Sequence, residues 1–215
     1  MQQRGWQFAI KRSIDVVGAG AGLILLSPVI GATALAVSIS MGTPVLFEQV
    51  RPGLGGLPFT MRKFRTMRNT RAADGSLLQD ASRVTRTGRL LRSLSLDELP
   101  QLWNVLCGDM SLIGPRPLLT QYLTRYTPHQ ARRHEVVPGM TGWAQVNGRN
   151  ALTHEERFDL DVWYVDHWSL ALDARIAWLT IRTVLGRIGS TPPNQVTMPE
   201  FFGPPHAVAE HPAKH

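Results

Sequence analysis

The residues best suited to chemistry form a short run near the middle of the chain. Two adjacent carboxylates, Asp97 and Glu98, lie downstream of Arg92, and Arg116 follows them between two prolines. Adjacent carboxylates can bind Mg²⁺ or supply a nucleophile, and a guanidinium on a proline-fixed backbone suits bidentate recognition of phosphate. The run therefore indicates an anionic, phosphorylated substrate that is bound together with a metal ion.

The same carboxylates also have a structural interpretation. Ser95 and Glu98 have the spacing of a capping box, or Asp97 is itself the N-cap, with Pro100 in the first turn. Taken alone, these residues favour helix capping over catalysis. The two interpretations are compatible, because a helix N-terminus also attracts anions and would keep the pKa of Asp97 low, as a nucleophile requires.

Length and charge limit the classes of protein that need to be considered. The 215 residues are enough for one ordinary domain, and the single cysteine, Cys107, excludes an internal disulfide. The net charge of +7 belongs to the first half: positions 1–100 hold 13 Lys and Arg against 6 Asp and Glu, whereas positions 101–215 hold 10 of each. A basic half is typical of proteins that bind nucleic acid, anionic lipid or a phosphorylated small molecule.

A stretch of 26 residues without a charge, residues 16–41, is long enough to span a bilayer as a helix. It can be a cleaved signal peptide with its cleavage site at residues 34–36, a spanning helix, or a re-entrant hairpin. Pro28 would kink a spanning helix, and basic residues flank both ends, which places both ends on the cytoplasmic side. We therefore expect a hairpin that is broken at Ser27 and Pro28, with the Ser27 hydroxyl bonded to a carbonyl freed by the proline.

The remaining sequence predicts a small, mostly helical α+β domain. Residues 44–50 and 59–64 are expected to form a β-hairpin around a glycine-rich turn, and residues 143–150 a polar loop. We predict helices over three segments: 118–134, 154–167 and 170–188. Aromatic residues in and between the last two segments are typical of helices that lie in the lipid headgroup layer, or alternatively of an aromatic core. They are Trp163, Tyr164, Trp168 and Trp178.

Several segments resemble the bacterial sugar transferases, the monotopic phosphoglycosyl transferases. They are residues 11–15 with the Ser27-Pro28 break, 63–67, 95–111, 114–117 and 138–150. The resemblance extends from about residue 11 to residue 202. It implies a re-entrant membrane anchor (residues 1–42), a catalytic domain (43–203) on the cytoplasmic face of the bacterial inner membrane, and a flexible tail (204–215).

The resemblance also implies a reaction and residue roles. Asp97 would attack the sugar-proximal phosphorus of a UDP-sugar and release UMP, and undecaprenyl phosphate would then take the phosphosugar from the aspartate. Glu98 would be a ligand of Mg²⁺. The candidate substrate-binding residues are Lys63, Arg65, Arg92, Pro115, Arg116, Pro117, Gln145, Asn147 and Arg149. Asp161 and Asp173 also occupy family-like positions, although an exposed helix charge and a helix cap are the simpler interpretations of these two residues.

The donor sugar is the least determined part of the prediction. Residues 147–151 and 196–203 resemble the subgroup that transfers N,N′-diacetylbacillosamine phosphate. A priming transferase for galactose or glucose phosphate in capsule, exopolysaccharide or O-antigen synthesis is the alternative. A third hypothesis is a non-catalytic, membrane-anchored basic protein that binds nucleic acid or anionic lipid. The balanced charge of the second half and the absence of a nucleic-acid-binding motif weigh against that hypothesis. We therefore expect membrane lipid but no nucleic acid as a partner. A homodimer is a further possible assembly.

Overall fold

The computed structural model describes residues 5–70, 74–76, 78–148, 152–185 and 200–203. The helices are α1 (Gly5–Leu25), α2 (Ser27–Met41), α3 (Asp80–Arg83), α4 (Arg86–Ser93), α5 (Gln101–Cys107), α6 (Pro128–Ala131), α7 (Trp143–Val146), α8 (His154–His167) and α9 (Leu170–Leu185). The strands are β1 (Leu46–Pro52), β2 (Pro58–Phe64), β3 (Ser111–Ile113) and β4 (Gly139–Thr141). The predicted mixture of many helices with a small sheet content is confirmed.

α1 and α2 form a pair of helices that is bent by 63° at a short break. Pro28 has no N–H, so the carbonyl of Ile24 loses its helical donor, and the Ser27 hydroxyl donates to that carbonyl at 2.8 Å. The predicted bond from Ser27 is thus confirmed. Within the described residues no single helix is long and apolar enough to cross a membrane, whereas α1 and α2 together have the necessary length and composition.

The polar first half of α1 is fixed to the rest of the molecule by buried side chains. The Lys11 ammonium donates to Asp173 Oδ2 at 2.7 Å and to the Ile113 carbonyl at 2.9 Å. Arg12 donates to two carbonyl groups near the end of α5, and Asp15 accepts from a backbone N–H of β3. Four of these bonds join α1 side chains to main-chain groups of α5 and β3, so this part of α1 is an integral part of the fold.

β1 and β2 form the predicted antiparallel hairpin. Phe47 is paired with Lys63 and Arg51 with Phe59, so these residues share one face of the hairpin. The backbone edge of β2 that does not pair with β1 is fixed to α5 by Asn104. The side-chain oxygen of Asn104 accepts from the Arg62 amide (3.1 Å), and its side-chain nitrogen donates to a carbonyl of β2. The hairpin therefore presents Lys63 from a rigid support.

β3 and β4 are parallel, and two glycines allow their ends to approach closely. A Cβ atom on Gly139 would overlap the backbone of Gly114. The Gly139 amide instead donates to the Pro115 carbonyl at 2.9 Å, and the Gly114 amide donates to the Thr141 carbonyl at 2.8 Å. These bonds fix the segment that carries Arg116.

Two predictions of secondary structure were wrong. Residues 118–134 do not form one helix: a 3₁₀ turn at Thr120–Tyr122 is followed by α6, which a capping box between Thr127 and Gln130 starts afresh. Residues 143–146 form α7 instead of a loop. In both places local hydrogen bonding, which the broad hydrophobic pattern does not report, sets the backbone.

The two long helices near the end of the chain match their predictions more closely. α8 has the expected bounds, and α9 starts at Leu170 as predicted, with the last predicted residues, 186–188, outside the described part. The aromatic residues divide between the two interpretations. Tyr164 and Trp168 are buried in the core, whereas Trp163 and Trp178 are exposed.

Candidate active site

The carboxylate pair lies in a 3₁₀ turn, Leu96–Glu98, between α4 and α5. Ser95 precedes the turn in the left-handed conformation (φ 56°, ψ 20°), which is uncommon for a residue with a side chain. Neither capping interpretation holds: Ser95 makes no side-chain cap bond, and Pro100 rather than Asp97 is the N-cap of α5. Asp97 and Glu98 instead face a cavity of about 1560 Å³.

Glu98 is held by two cations from distant parts of the chain. Lys63 Nζ lies 2.7 Å from Glu98 Oε1, and the Arg116 guanidinium contacts both carboxylate oxygens. Burial raises the pKa of Glu98, but the charges of Arg116 and Lys63 and their hydrogen bonds outweigh this effect and hold the pKa well below its usual range. Glu98 is therefore ionised at all physiological pH values.

Asp97 has a different environment from its neighbour. It is only 9% exposed and, among the described residues, forms no salt bridge. Burial, and then the adjacent charge of Glu98, raise the pKa of Asp97, against the weaker opposing effect of Lys63, Arg116 and Arg92. The expectation that a helix N-terminus keeps this pKa low was wrong, because Asp97 is not at a helix N-terminus.

The other predicted basic residues divide into two groups. Lys63, Arg92 and Arg116 all line the cavity, and Arg92 Nε donates to the Thr66 hydroxyl at 2.9 Å. Arg65 also reaches the edge of the cavity, but its guanidinium donates to the carbonyls of Met41 and Gly42 at the end of α2. Its bonds satisfy helix carbonyls that have no other donor.

Of the substrate-binding residues predicted in segment 145–149, only one is seen to line the cavity. Gln145 lines the cavity, and both polar atoms of its side chain are buried without a partner among the described residues. Asn147 is exposed and donates back to the Trp143 carbonyl at 2.8 Å. Arg149 is outside the described residues. Pro115 and Pro117 are buried beside Arg116 and do not line the cavity.

A buried ion pair supports the Arg116 segment from behind. Arg133 Nη2 donates to Asp161 Oδ2 at 2.6 Å and to the Arg116 carbonyl at 2.7 Å. The side chains of Arg133 and Asp161 are 1% and 2% exposed. The expectation that Asp161 is an exposed helix charge was therefore wrong. Asp173 is not a helix cap either, because it is the buried partner of Lys11 described above.

Four further cations, which the sequence analysis did not select as binding residues, line the cavity. Lys11 and Arg83 are ion-paired with Asp173 and Asp80. The other two are Arg51 on β1 and Arg157 on α8. Side chains alternate between the two faces of a strand, so the sequence could have placed Arg51 on the same face as Gln49. The pairing of β1 with β2, which puts Lys63 on this face as well, is seen only in the folded hairpin. No local pattern marks Arg157.

The described part of the cavity offers Mg²⁺ only a small number of protein ligands. Glu98 Oε1 accepts from Lys63 and Arg116, whereas Oε2 accepts only from Arg116 (3.3 Å), which leaves one acceptor position on Oε2. Among the described residues no group of three or more His, Cys, Asp or Glu could hold a metal. Because Mg²⁺ keeps several waters and uses substrate phosphates, one or two protein carboxylates are enough, and Glu98, with Asp97 adjacent, would be the residue to hold it.

Comparison with known proteins agrees with this site. The family model described as bacterial sugar transferase matches residues 6–187, which include both carboxylates and every described residue of the cavity discussed above. The chain belongs to the bacterial sugar transferase family. The sequence-based prediction of a transferase is thus confirmed.

Individual members of the bacterial sugar transferase family are also similar. The uncharacterized sugar transferase EpsL of Bacillus subtilis is 56% identical over 194 residues, which cover 90% of this chain and 96% of that protein. A UDP-glucose:undecaprenyl-phosphate glucose-1-phosphate transferase of Xanthomonas campestris is 45% identical, over 84% of this chain and 40% of that protein. A UDP-N-acetylgalactosamine-undecaprenyl-phosphate N-acetylgalactosaminephosphotransferase of Aeromonas hydrophila is 41% identical, over 84% and 45%. This chain thus spans less than half of the last two relatives.

Proposed function

We propose that this transferase moves a sugar 1-phosphate from a UDP-sugar to undecaprenyl phosphate and releases UMP. One observation carries the proposal: Asp97, a buried carboxylate without an ion-pair partner among the described residues, shares one cavity with the cations Lys63, Arg92 and Arg116. The names of the relatives from X. campestris and A. hydrophila describe the same type of reaction. The product would be the first lipid-linked sugar of a glycan.

The reaction divides into two displacements at one phosphorus atom. An Asp97 oxygen forms a bond to the sugar-proximal phosphorus, and the bond to the second phosphate breaks, so UMP leaves with the electron pair. An oxygen of the polyprenyl phosphate then attacks the same phosphorus and releases the Asp97 carboxylate. Lys63 and Arg116 bind the phosphate oxygens and stabilise their charge. Mg²⁺, held by Glu98, would neutralise further diphosphate charge when it is bound.

The lining of the cavity supports a lipid acceptor. Besides the carboxylates, apolar residues of α1, β3 and α9 line it. They include Ile14, Leu112, Ala174, Ala177, Ile181 and Val184. A polyprenyl phosphate could place its charged group near Arg116 and its chain along this lining, because apolar surface favours burial of an isoprenoid.

We further propose that α1 and α2 form a re-entrant anchor in the bacterial inner membrane, with the cavity on the cytoplasmic face. Large apolar side chains on both helices are exposed and would contact lipid: Val17, Ile24, Leu25, Leu35 and Ile39. Large apolar patches are uncommon on the surface of soluble proteins and often mark a surface that contacts a membrane or a partner. The 63° bend and the polar first half of α1, which is fixed to the cavity wall, support a hairpin over a straight span.

The anchor can be tested by labelling from each side of the membrane. Single cysteines at exposed positions, Trp6→Cys and Leu54→Cys, would be introduced after replacement of the exposed native Cys107 by serine. We expect a membrane-impermeant maleimide to modify both positions in inverted vesicles, whose outer face is the cytoplasmic one. The same reagent added to the opposite face of the membrane should modify neither position. Modification from opposite sides would establish a full span and contradict the re-entrant anchor.

The donor sugar and the metal can be tested in one assay. UMP release by the detergent-solubilised protein would be measured with undecaprenyl phosphate and a panel of UDP-sugars: glucose, galactose, N-acetylgalactosamine and N,N′-diacetylbacillosamine. The names of the two relatives describe glucose and N-acetylgalactosamine donors and not N,N′-diacetylbacillosamine, so they support the alternative of a priming transferase. We expect release with one or two donors, lost in EDTA and restored by Mg²⁺. No release with any donor would contradict the proposed reaction, and release that survives EDTA would contradict the role of Mg²⁺.

A further inference from the structure

Arg51 lies on the same face of the hairpin as Lys63, at the other end of it. The register pairs Arg51 with Phe59 and Lys63 with Phe47, and all four positions belong to one face. Phe59 and Lys63 are four residues apart on β2, so Arg51 is displaced from Lys63 by about 13 Å along the strands. Both side chains line the cavity.

The guanidinium of Arg51 is incompletely paired. Its Nη2 donates to the neutral side-chain oxygen of Gln49 at 2.6 Å, whereas its Nε is buried without a partner among the described residues. None of the salt bridges found within the described part of the chain includes Arg51, in contrast to Lys63 and Arg116, which share Glu98. A partly buried cation with an unused donor is costly unless a ligand supplies an acceptor and negative charge.

Electrostatic effects agree with this geometry. Burial, and then the nearby charge of Arg116, lower the pKa of Arg51 to about 10. The charge of Arg116 also lowers the pKa of Lys63, after the larger effect of burial. The charge of Arg116 therefore acts on both cations, and all three line the cavity that Asp97 faces. Of these three cations, only Lys63 and Arg116 have a carboxylate partner among the described residues.

We propose that Arg51 binds the phosphate that leaves with the nucleoside, that is, the phosphate of UMP. The inference rests on the proposed function, in which a diphosphate lies along this wall. Lys63 and Arg116 adjoin the carboxylates and therefore contact the phosphate that Asp97 attacks. The second phosphate shares a bridging oxygen with the first and therefore lies beside it. Arg51 would reach the second phosphate from the other end of the face through its long side chain, whose charge interacts with that of Arg116, and its Nε–H, which has no partner among the described residues, would donate to a phosphate oxygen.

The test is a binding measurement on the full-length, detergent-solubilised protein. We expect Arg51→Gln to weaken UMP binding in titration calorimetry by about 10- to 100-fold, the range for a lost charge-assisted hydrogen bond. Binding of uridine, which has no phosphate, should stay the same. Arg51→Lys should be intermediate because it keeps the charge and loses the planar fork.

Arg62→Gln is the matched control. Arg62 is the neighbour of Lys63 on the opposite face of β2, where its side chain is ion-paired with Glu48 at 3.1 Å. It should leave UMP affinity unchanged. Equal UMP affinity in Arg51→Gln and the unmodified protein would overturn the role of Arg51.

The same variants separate this inference from the proposed function. Arg51→Gln should raise KM for the UDP-sugar and leave the Tm unchanged, because Arg51 forms no salt bridge among the described residues. A lowered Tm together with the loss of UMP affinity would indicate a general structural role and overturn the inference. If the unmodified protein releases UMP from a UDP-sugar but Arg51→Gln does so with normal KM, only the inference fails. If the unmodified protein neither releases nor binds UMP, both fail.

Discussion

Asp97→Asn is expected to reduce UMP release at least about 10³-fold, because the substitution removes the nucleophile and keeps the shape of the side chain. The contacts next to Asp97 should survive the substitution, because Lys63 and Arg116 both bind Glu98. Burial and the charge of Glu98 disfavour the ionised form of Asp97 in the folded protein. The variant should therefore fold with an unchanged or slightly higher Tm, and a loss of activity cannot be assigned to unfolding.

The measurement is a single-turnover assay without lipid acceptor. The unmodified protein should release one UMP per active site and gain the mass of a phosphosugar, and Asp97→Asn should do neither. Asp159→Asn, an exposed carboxylate on α8, is the control and should behave as the unmodified protein. Near-normal turnover by Asp97→Asn would contradict the covalent mechanism.

The raised pKa of Asp97 adds a pH dependence to the same prediction. The carboxylate form is the nucleophile, so release of UMP should fall as the pH falls through the pKa of Asp97. Because burial and Glu98 raise that pKa, the acid limb should lie above the ordinary aspartate value of about 3.9. Glu98 does not contribute to this limb, because its pKa is held low by Arg116 and Lys63.

Features that are encoded by neighbouring residues were predictable from the sequence. The break at Ser27 and Pro28 follows from a missing N–H and a nearby hydroxyl, and both act within one helical turn. The hairpin follows from two short strand-forming segments around glycine-rich turn residues. The carboxylate pair and Arg116 could be selected as a site because they lie close together in the sequence.

Features that depend on distant partners could not be predicted. The sequence near Glu98 fits a capping box, yet its carboxylate binds Lys63, 35 positions away, and Arg116, 18 positions away. A charge-assisted pair in a partly buried site outweighs a local cap bond. Asp161 was misjudged for a similar reason, because its partner Arg133 is 28 positions away and only the folded chain brings them together.

Asp161→Asn is expected to be among the most destabilising single substitutions in the described part of the chain. It leaves the Arg133 guanidinium buried without a counter-ion, a change that typically costs about 3–5 kcal/mol. The measurement is the Tm, or the free energy of unfolding where unfolding is reversible. Asp166→Asn, which breaks the exposed pair with Arg132, is the control and should change the Tm little.

A double substitution separates the stability of this pair from its effect on the active site. Arg133→Met with Asp161→Leu replaces both charges by apolar side chains, so much of the lost stability should return. The Arg116 carbonyl, however, would still lack the bond from Arg133 Nη2. KM for the UDP-sugar should therefore be higher in the double variant than in the unmodified protein, although the Tm has recovered. If the two KM values were equal, Arg133 would serve folding alone, and Arg116 would be held sufficiently by its own bonds to Glu98 and by the backbone bond from Gly139 to Pro115.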